Sequence, residues 1–333
     1  MGSMDEIAGC NEKNVRREPE GINLQNKRWI FVKKAFLYRD PIYDGATDPV
    51  VIWNRQEKCW WLLYTQRRST DISIDKSSIH GSKIGVASSK DGAKWLYLGT
   101  LPNLDFERGH NTFWAPEIIY HDGMYHMYVS YITGIPVDWD YPRHIIHYTS
   151  RNLWDWNYES KLSLSSESVI DACVFPIDGT WKMWYKDEKH ANHTYSAISN
   201  DLYTWSVLGP EITDCPHEGP NVFSFGGKHW IIVDCWNGLA VYKSEDFVNW
   251  ERQKQNLLSD AGESDFDNTQ GSHADVVVCD GKALLFYFVH SPTQKDGCAN
   301  IQLTELKVKD GILCCDRNED TPLLPDGDRE KWI

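Results

Sequence analysis

The chain has 333 residues, 41% of them hydrophobic and 25% charged, which suits one large β domain or two smaller ones. Its net charge of −14 argues against a nucleic-acid backbone or an anionic membrane surface as partner. No stretch reaches the 18 or more apolar residues of a membrane-spanning helix.

Residues 1–27 form a polar, charged lead-in that is expected to be poorly ordered, with Met1-Gly2-Ser3-Met4 reading as an expression-tag remnant. Residues 28–333 are then expected to form a single domain. A strand-like run occupies 29–38, and from there the sequence repeats. One mark is Ser-x-Asp/Asn-x-x-x-Trp, present as SKDGAKW (89–95), SRNLWDW (150–156), SNDLYTW (199–205) and SEDFVNW (244–250). The other is a turn followed by an aromatic strand. It begins at residues 57, 122, 178, 226 and 280, so the steps are 65, 56, 48 and 54 residues. Short runs of Val, Ile, Phe and Trp broken by Gly and Asn are strand-and-turn chemistry, and helical periodicity is nearly absent. Five repeats of four antiparallel strands predict an all-β, five-bladed β-propeller with a site at one end of its axis.

Strand parity sorts the loops. The start of each innermost strand, the loop between strands two and three, and the blade-to-blade linker share one face. The Ser-x-Asp-x-x-x-Trp marks belong to the turns between strands three and four, on the opposite face, and are read as scaffold. The long loops 66–81, 132–143 and 290–298 and the linkers 101–113 and 256–271 all fall on the first face, which is therefore expected to carry the function.

The innermost strands begin with Thr47-Asp48-Pro49, Trp114-Ala115-Pro116-Glu117, Ile170-Asp171-Ala172, His217-Glu218-Gly219-Pro220 and Ser272-His273-Ala274-Asp275. An ionisable residue heads each one, and charged groups are seldom buried without a partner or a task. Several carboxylates around one pocket are the equipment of glycoside hydrolysis, in which one acid donates a proton and another activates water or attacks. Trp114, Trp139, Trp236 and Arg143, with Arg67, Arg68, Asp187 and Lys189, lie on the same face. Most of the 16 Trp and 16 Tyr are assigned to the core and a few to sugar stacking. His121, His126, His144 and His147 lack metal-ligand spacing and are read as strand or loop residues.

The segments DGATDPVVIW, FWAPEIIYHDGMYHMYVS, SVIDACVFPIDGTWKMWY and HEGPNVFSFGGKHW, each at a blade start and in this order, resemble glycoside hydrolase family 43. The resemblance runs from about residue 40 to the end. It implies an inverting, exo-acting hydrolase that releases a terminal arabinofuranosyl, xylosyl or galactosyl residue from a polysaccharide or oligosaccharide. Asp48 would be the general base, Glu218 the general acid and Asp171 the residue tuning that acid. Trp114 and Glu117 would line the sugar subsite. His273 would lie beside a central cation, commonly calcium, with no cofactor required for the reaction. Thr47 stands where Ala is usual in the family, and Glu117 where Asp often follows Trp-Ala-Pro. Arg39-Asp40-Pro41 offers a second Asp-Pro, resembling family 32 fructosidases. Asp48 is preferred because it directly precedes an apolar strand, which leaves Asp40 as a turn residue. The alternatives are a retaining fructosidase-like hydrolase, a carbohydrate-binding propeller without catalysis, and a phosphorylase using cations such as Arg67, Arg68 and Arg143.

Nine cysteines cannot all pair. Cys173, Cys235 and Cys279 are expected as buried thiols. The adjacent Cys314-Cys315 fits neither a simple disulfide framework nor a zinc motif. A reducing compartment is favoured on that basis, although a leader replaced by the tag would also allow a secreted or periplasmic location.

Overall fold

The structure is a computed structural model and describes residues 31–32, 37–291 and 297–325. The lead-in 1–27 and the tip of the 290–298 loop, 292–296, lie outside the described residues. Among the described residues there is no helix long and apolar enough to cross a membrane.

Five antiparallel sheets follow one another around an axis. Blade one comprises Ala46–Asn54, Cys59–Gln66, Lys83–Ser89 and Leu96–Thr100. Blade two comprises Thr112–His121, Met124–Ile132, His144–Ser150 and Asn157–Lys161. Blade three comprises Val169–Ile177, Thr180–Asp187, His193–Ser199 and Ser206–Ile212. Blade four comprises Glu218–Phe225, Lys228–Asp234, Leu239–Ser244 and Glu251–Arg252. Each of these sheets keeps its strands in chain order.

Blade five closes the ring. Ser272–Cys279, Lys282–His290 and Ala299–Lys309 are joined by Tyr38–Arg39 from the other end of the chain, which pairs with Ile301 and Asn300. Ile312–Cys315 pairs with the far half of Ala299–Lys309, and Phe31–Val32 pairs with Thr321–Pro322. The strand-like run 29–38 is therefore divided between two sheets. Asp40 secures this closure. Buried, it accepts hydrogen bonds from the backbone N–H groups of Ile42 and Tyr43 (3.0 and 2.6 Å), from the Tyr64 hydroxyl (2.5 Å) and from Gln66 Nε2 (2.7 Å). It is a turn residue with a structural task.

The core lies between the blades. One apolar cluster joins blades one and two, and others join two and three, three and four, four and five, and five and one. Trp60, Trp61, Trp184 and Trp230 are fully buried in these layers. Short strands with two apolar faces suit this arrangement, since each inner strand is covered on both sides.

The turns after strand three repeat one motif. In each, the serine hydroxyl bonds the Asp or Asn two residues on, at 3.0–3.1 Å for Ser89, Ser150, Ser199 and Ser244. That side chain then accepts the next backbone N–H groups, as Asp246 does from Val248 and Asn249. This is Asx-turn chemistry, and it places the four marks in scaffold.

A second repeat lies at the axis. In successive blades, an inner-strand side chain accepts the backbone N–H of the next blade. Glu117 takes Val174 (3.1 Å), Cys173 takes Val222 (3.3 Å), Asn221 takes Val276 (3.2 Å) and Asp275 takes Val51 (2.9 Å). Blade one carries Val50 at the corresponding position and cannot complete the fifth rung. These bonds satisfy buried backbone donors near the axis.

Candidate active site

Each inner strand opens with a bulge. Pairing slips between Thr47 and Val50, Trp114 and Glu117, Ile170 and Cys173, Glu218 and Asn221, and Ser272 and Ala274. A bulge re-aims side chains at a rim. The five residues Asp48, Ala115, Asp171, Gly219 and His273 follow equivalent rungs, and the first four have positive φ of 50°, 42°, 58° and 57°. Such backbone costs about 1–3 kcal/mol for a residue with a Cβ and clusters at functional sites. Asp48 and Asp171 are thus structural equivalents. Glu218 sits one position earlier, level with Thr47, Trp114 and Ile170.

The charged groups converge. His273 Nδ1 lies 3.6 Å from Asp48 Oδ1, and Arg67 Nη2 lies 4.0 Å from the same oxygen. Gly219 donates its N–H to Asp171 Oδ2 at 3.1 Å. A Cβ on Gly219 would meet the His273 ring at 2.7 Å, so this neighbour must be glycine on steric grounds as well as by φ. Glu218 is held by two donors: Lys186 Nζ reaches Oε2 at 3.0 Å, and the Trp236 indole N–H reaches Oε1 at 3.1 Å.

The electrostatics follow from burial and these pairs. Burial pushes the Asp171 carboxyl up, with Glu218 and Asp48 adding to the rise and His273 and Lys186 opposing it. Asp234 is raised by burial and by the Glu218 charge. Glu218 is also pushed up by burial, but the Lys186 ammonium outweighs this and holds it below the usual carboxylate range. Burial works against charge on His273, yet Asp171, Asp48, Glu218 and Asp234 together raise its pKa.

Asp48, Asp171, Glu218 and His273 are thus assembled at one end of the axis, with Trp236 on the rim, 46% exposed. Trp139 is 51% exposed on the blade-two loop, and Arg143 lies beneath it. Arg143 donates to the Trp139 carbonyl at 2.7 Å and packs 5.6 Å from the Trp139 ring and 5.9 Å from the Trp114 ring.

Several expected residues have other surroundings than the sequence suggests. Glu117 is buried, and its carboxylate is the interblade acceptor described above, which gives it a structural task. Trp114 is also largely covered: its indole N–H donates to the Ile79 carbonyl, and the His80 ring sits 5.2 Å away. It supports the rim from below. Asp187 is occupied by Ser165, Ser166 and His190. Arg68 is paired with Asp71. Cys235 is only partly buried, whereas Cys173 and Cys279 are buried.

Four participants were not read from the sequence. Lys186 and Glu188 alternate with Asp187 and Lys189, so they project from the other side of the same stretch, and period-two alternation is the signal that separates the two sides. Asp234 ends the strand opposite Glu218 and accepts the N–H groups of Trp236 (2.8 Å) and His273 (3.0 Å). His80 is fully enclosed between Trp114 and Trp139, and burial lowers its pKa to about 4.

The expected central cation would lie beside His273 and Asp48. Calcium is bound by six to eight oxygens, whereas the group beside Asp48 is a histidine inclined to be protonated. Among the described residues no group of three or more His, Cys, Asp or Glu is arranged to hold a metal. No step below is routed through a cation.

No family model matches the chain, and no curated protein matches it. Solved structures do. A thermostable family 43 glycoside hydrolase is 20% identical, with a TM-score of 0.65 over 88% of this chain and 100% of that one. A family 43 β-xylosidase/α-arabinofuranosidase from a compost microbial metagenome, solved with xylotriose in a calcium-free form, is 14% identical, with a TM-score of 0.64 over 86% and 98%. A Bombyx mori family 32 β-fructofuranosidase is 16% identical, with a TM-score of 0.62 over 84% of this chain and 64% of that one. The chain shares the five-bladed propeller fold of the family 43 structures.

Proposed function

We propose that this protein is a glycoside hydrolase that removes a terminal sugar from a carbohydrate chain with inversion. The observation that carries this reading is the meeting of Asp48, Asp171 and Glu218 around His273 at one end of the axis. The propeller likeness to family 43 structures accords with it.

In this reading a water attacks the anomeric carbon while Asp48 takes its proton. The glycosidic C–O bond breaks, and Glu218 donates a proton to the leaving oxygen. Asp171 holds the segment next to Glu218 through the Gly219 N–H. Trp236 and Trp139 offer exposed aromatic faces for sugar on the loops of blades four and two. The sugar itself is proposed to be arabinofuranosyl, xylosyl or galactosyl.

The test is a panel of aryl arabinofuranosides, xylosides, galactosides and fructosides. One of the first three should be turned over, and Glu218→Ala and Asp48→Asn should each lower kcat by roughly 10²–10⁴-fold. NMR of the first-formed anomer should show inversion. Retention would instead favour the fructosidase-like reading, with Asp48 as nucleophile. Binding without turnover would favour a carbohydrate-binding propeller, and turnover that requires phosphate a phosphorylase.

A further inference from the structure

The second strands of the blades show a regular feature that fails in two places, at an apolar Phe288 in blade five and at a charged Lys186 in blade three. Thr65, Ser130, Lys186, Asp234 and Phe288 occupy equivalent rungs, paired with Thr47, Trp114, Ile170, Glu218 and Ser272. Three of them accept the N–H of the next blade's bulge. Thr65 takes Ala115 (2.8 Å), Ser130 takes Asp171 (3.0 Å) and Asp234 takes His273 (3.0 Å). In blade three the position belongs to Lys186, which has no acceptor, and Gly219 donates instead to Asp171. A scaffold role does not account for a lysine there.

Its surroundings do. The Lys186 side chain is 5% exposed, and its ammonium stands between two carboxylates, 3.0 Å from Glu218 Oε2 and 3.2 Å from Glu188 Oε1. It also lies 5.4 Å from the Trp236 ring centre. Glu188 pairs in turn with Arg143, which holds the Trp139 carbonyl. A buried ammonium with two anionic partners can shift its weight from one to the other without losing its counter-charge.

That matters because a proton donor must be protonated before it can act, while an ammonium at 3.0 Å favours the ionised form. We propose that Lys186 is a movable counter-ion that holds Glu218 in place as a carboxylate and passes to Glu188 when Glu218 takes up the proton it donates. Lys186 is thus a positioning residue, and Glu188 is its second anchor. The proposal rests on the reading of Glu218 as proton donor.

Glu218 also faces Asp48, Asp171 and His273 from the other inner strands and Asp234 from the paired strand of its own blade, and its charge reaches Arg143 and His290 further out. These groups persist in every variant below, so differences isolate Lys186 and Glu188.

The decisive measurement needs no substrate. Glutamate carboxyl carbons are labelled with carbon-13 in the full chain, the Glu218 signal is assigned by its loss in Glu218→Gln, and its titration is followed by NMR. Lys186→Met should raise the apparent pKa of Glu218 by about one unit or more, and Lys186→Arg should raise it less. Glu188→Gln should lower it, because Lys186 then has one carboxylate to serve. An unchanged value in Lys186→Met, or a shift of the same sign in Glu188→Gln, overturns the proposal. If Lys186→Met does not fold, the direction in Glu188→Gln decides alone. With an active glycoside, the alkaline limb of the kcat/KM profile should move up in Lys186→Met and down in Glu188→Gln. Absence of turnover on every glycoside would reject the hydrolase reading, while the titration would still decide whether Lys186 governs Glu218.

Discussion

At the scale of single residues, the site depends on backbone that most side chains avoid. Gly219 combines a φ of 57° with a His273 ring that would meet its Cβ at 2.7 Å. Gly219→Ala should therefore cost about 1–3 kcal/mol in urea unfolding. It should also displace His273 from Asp48, so turnover should fall even at temperatures where the fold persists. A second residue-scale expectation concerns His126 and His147. Both are buried, their rings stack at 12°, and Nδ1 of one lies 3.0 Å from Nε2 of the other. Burial lowers their pKa values to about 4 and about 3. The unfolded chain takes up these protons first. Their neutral pairing thus contributes stability that is complete above about pH 6.5 and is lost as pH falls toward 4, at about 1.4 kcal/mol per unit for each histidine. Thermal unfolding from pH 7 to pH 4.5 should show a shallower loss in His126→Phe/His147→Phe than in the wild type.

At the scale of elements, the linker 256–271 shapes the functional face and is tied down by one buried ion pair. Arg317 binds the Asp267 carboxylate and donates to the carbonyls of Asp260 (2.6 Å) and Thr269 (2.8 Å). Tyr287 donates to the same carboxylate at 2.9 Å. Gln270 of this linker donates to the Trp236 carbonyl at 2.8 Å, so the tether extends to the rim of the site. Arg317→Met removes the counter-charge of the buried Asp267 carboxylate and should cost about 3–5 kcal/mol. Adding Asp267→Leu should recover a large part of that, as read from urea midpoints.

At the scale of the whole molecule, closure joins residues near the two ends of the chain in blade five, and Asp40 is its clasp. Asp40→Ala strands polar groups on Tyr64 and Gln66 and should cost roughly 2–3 kcal/mol. The folded fraction should keep its kcat. Loss of turnover with full stability would mean that Asp40, and not Asp48, is the reacting carboxylate of blade one.

Much of this architecture is legible in the sequence. Period-two strands, glycine turns and the Ser-x-Asp-x-x-x-Trp marks are local physics, written in consecutive residues, and they define blade count, strand order and the face on which the long loops gather. Asp48, Asp171 and Glu218 stand out in the sequence because blade starts repeat. What tertiary structure alone decided is how charges pair across blades. Asp275 serves Val51 across 224 positions, Glu117 serves Val174 across 57, and Lys186 meets Glu218 across 32. Glu117 and Lys186 are both charged residues on strands near the axis. One is a strut and the other sits against the proposed acid because bulge geometry and the next blade's register set their neighbours. A carboxylate's task depends on distances of a few ångströms between segments that the sequence keeps far apart.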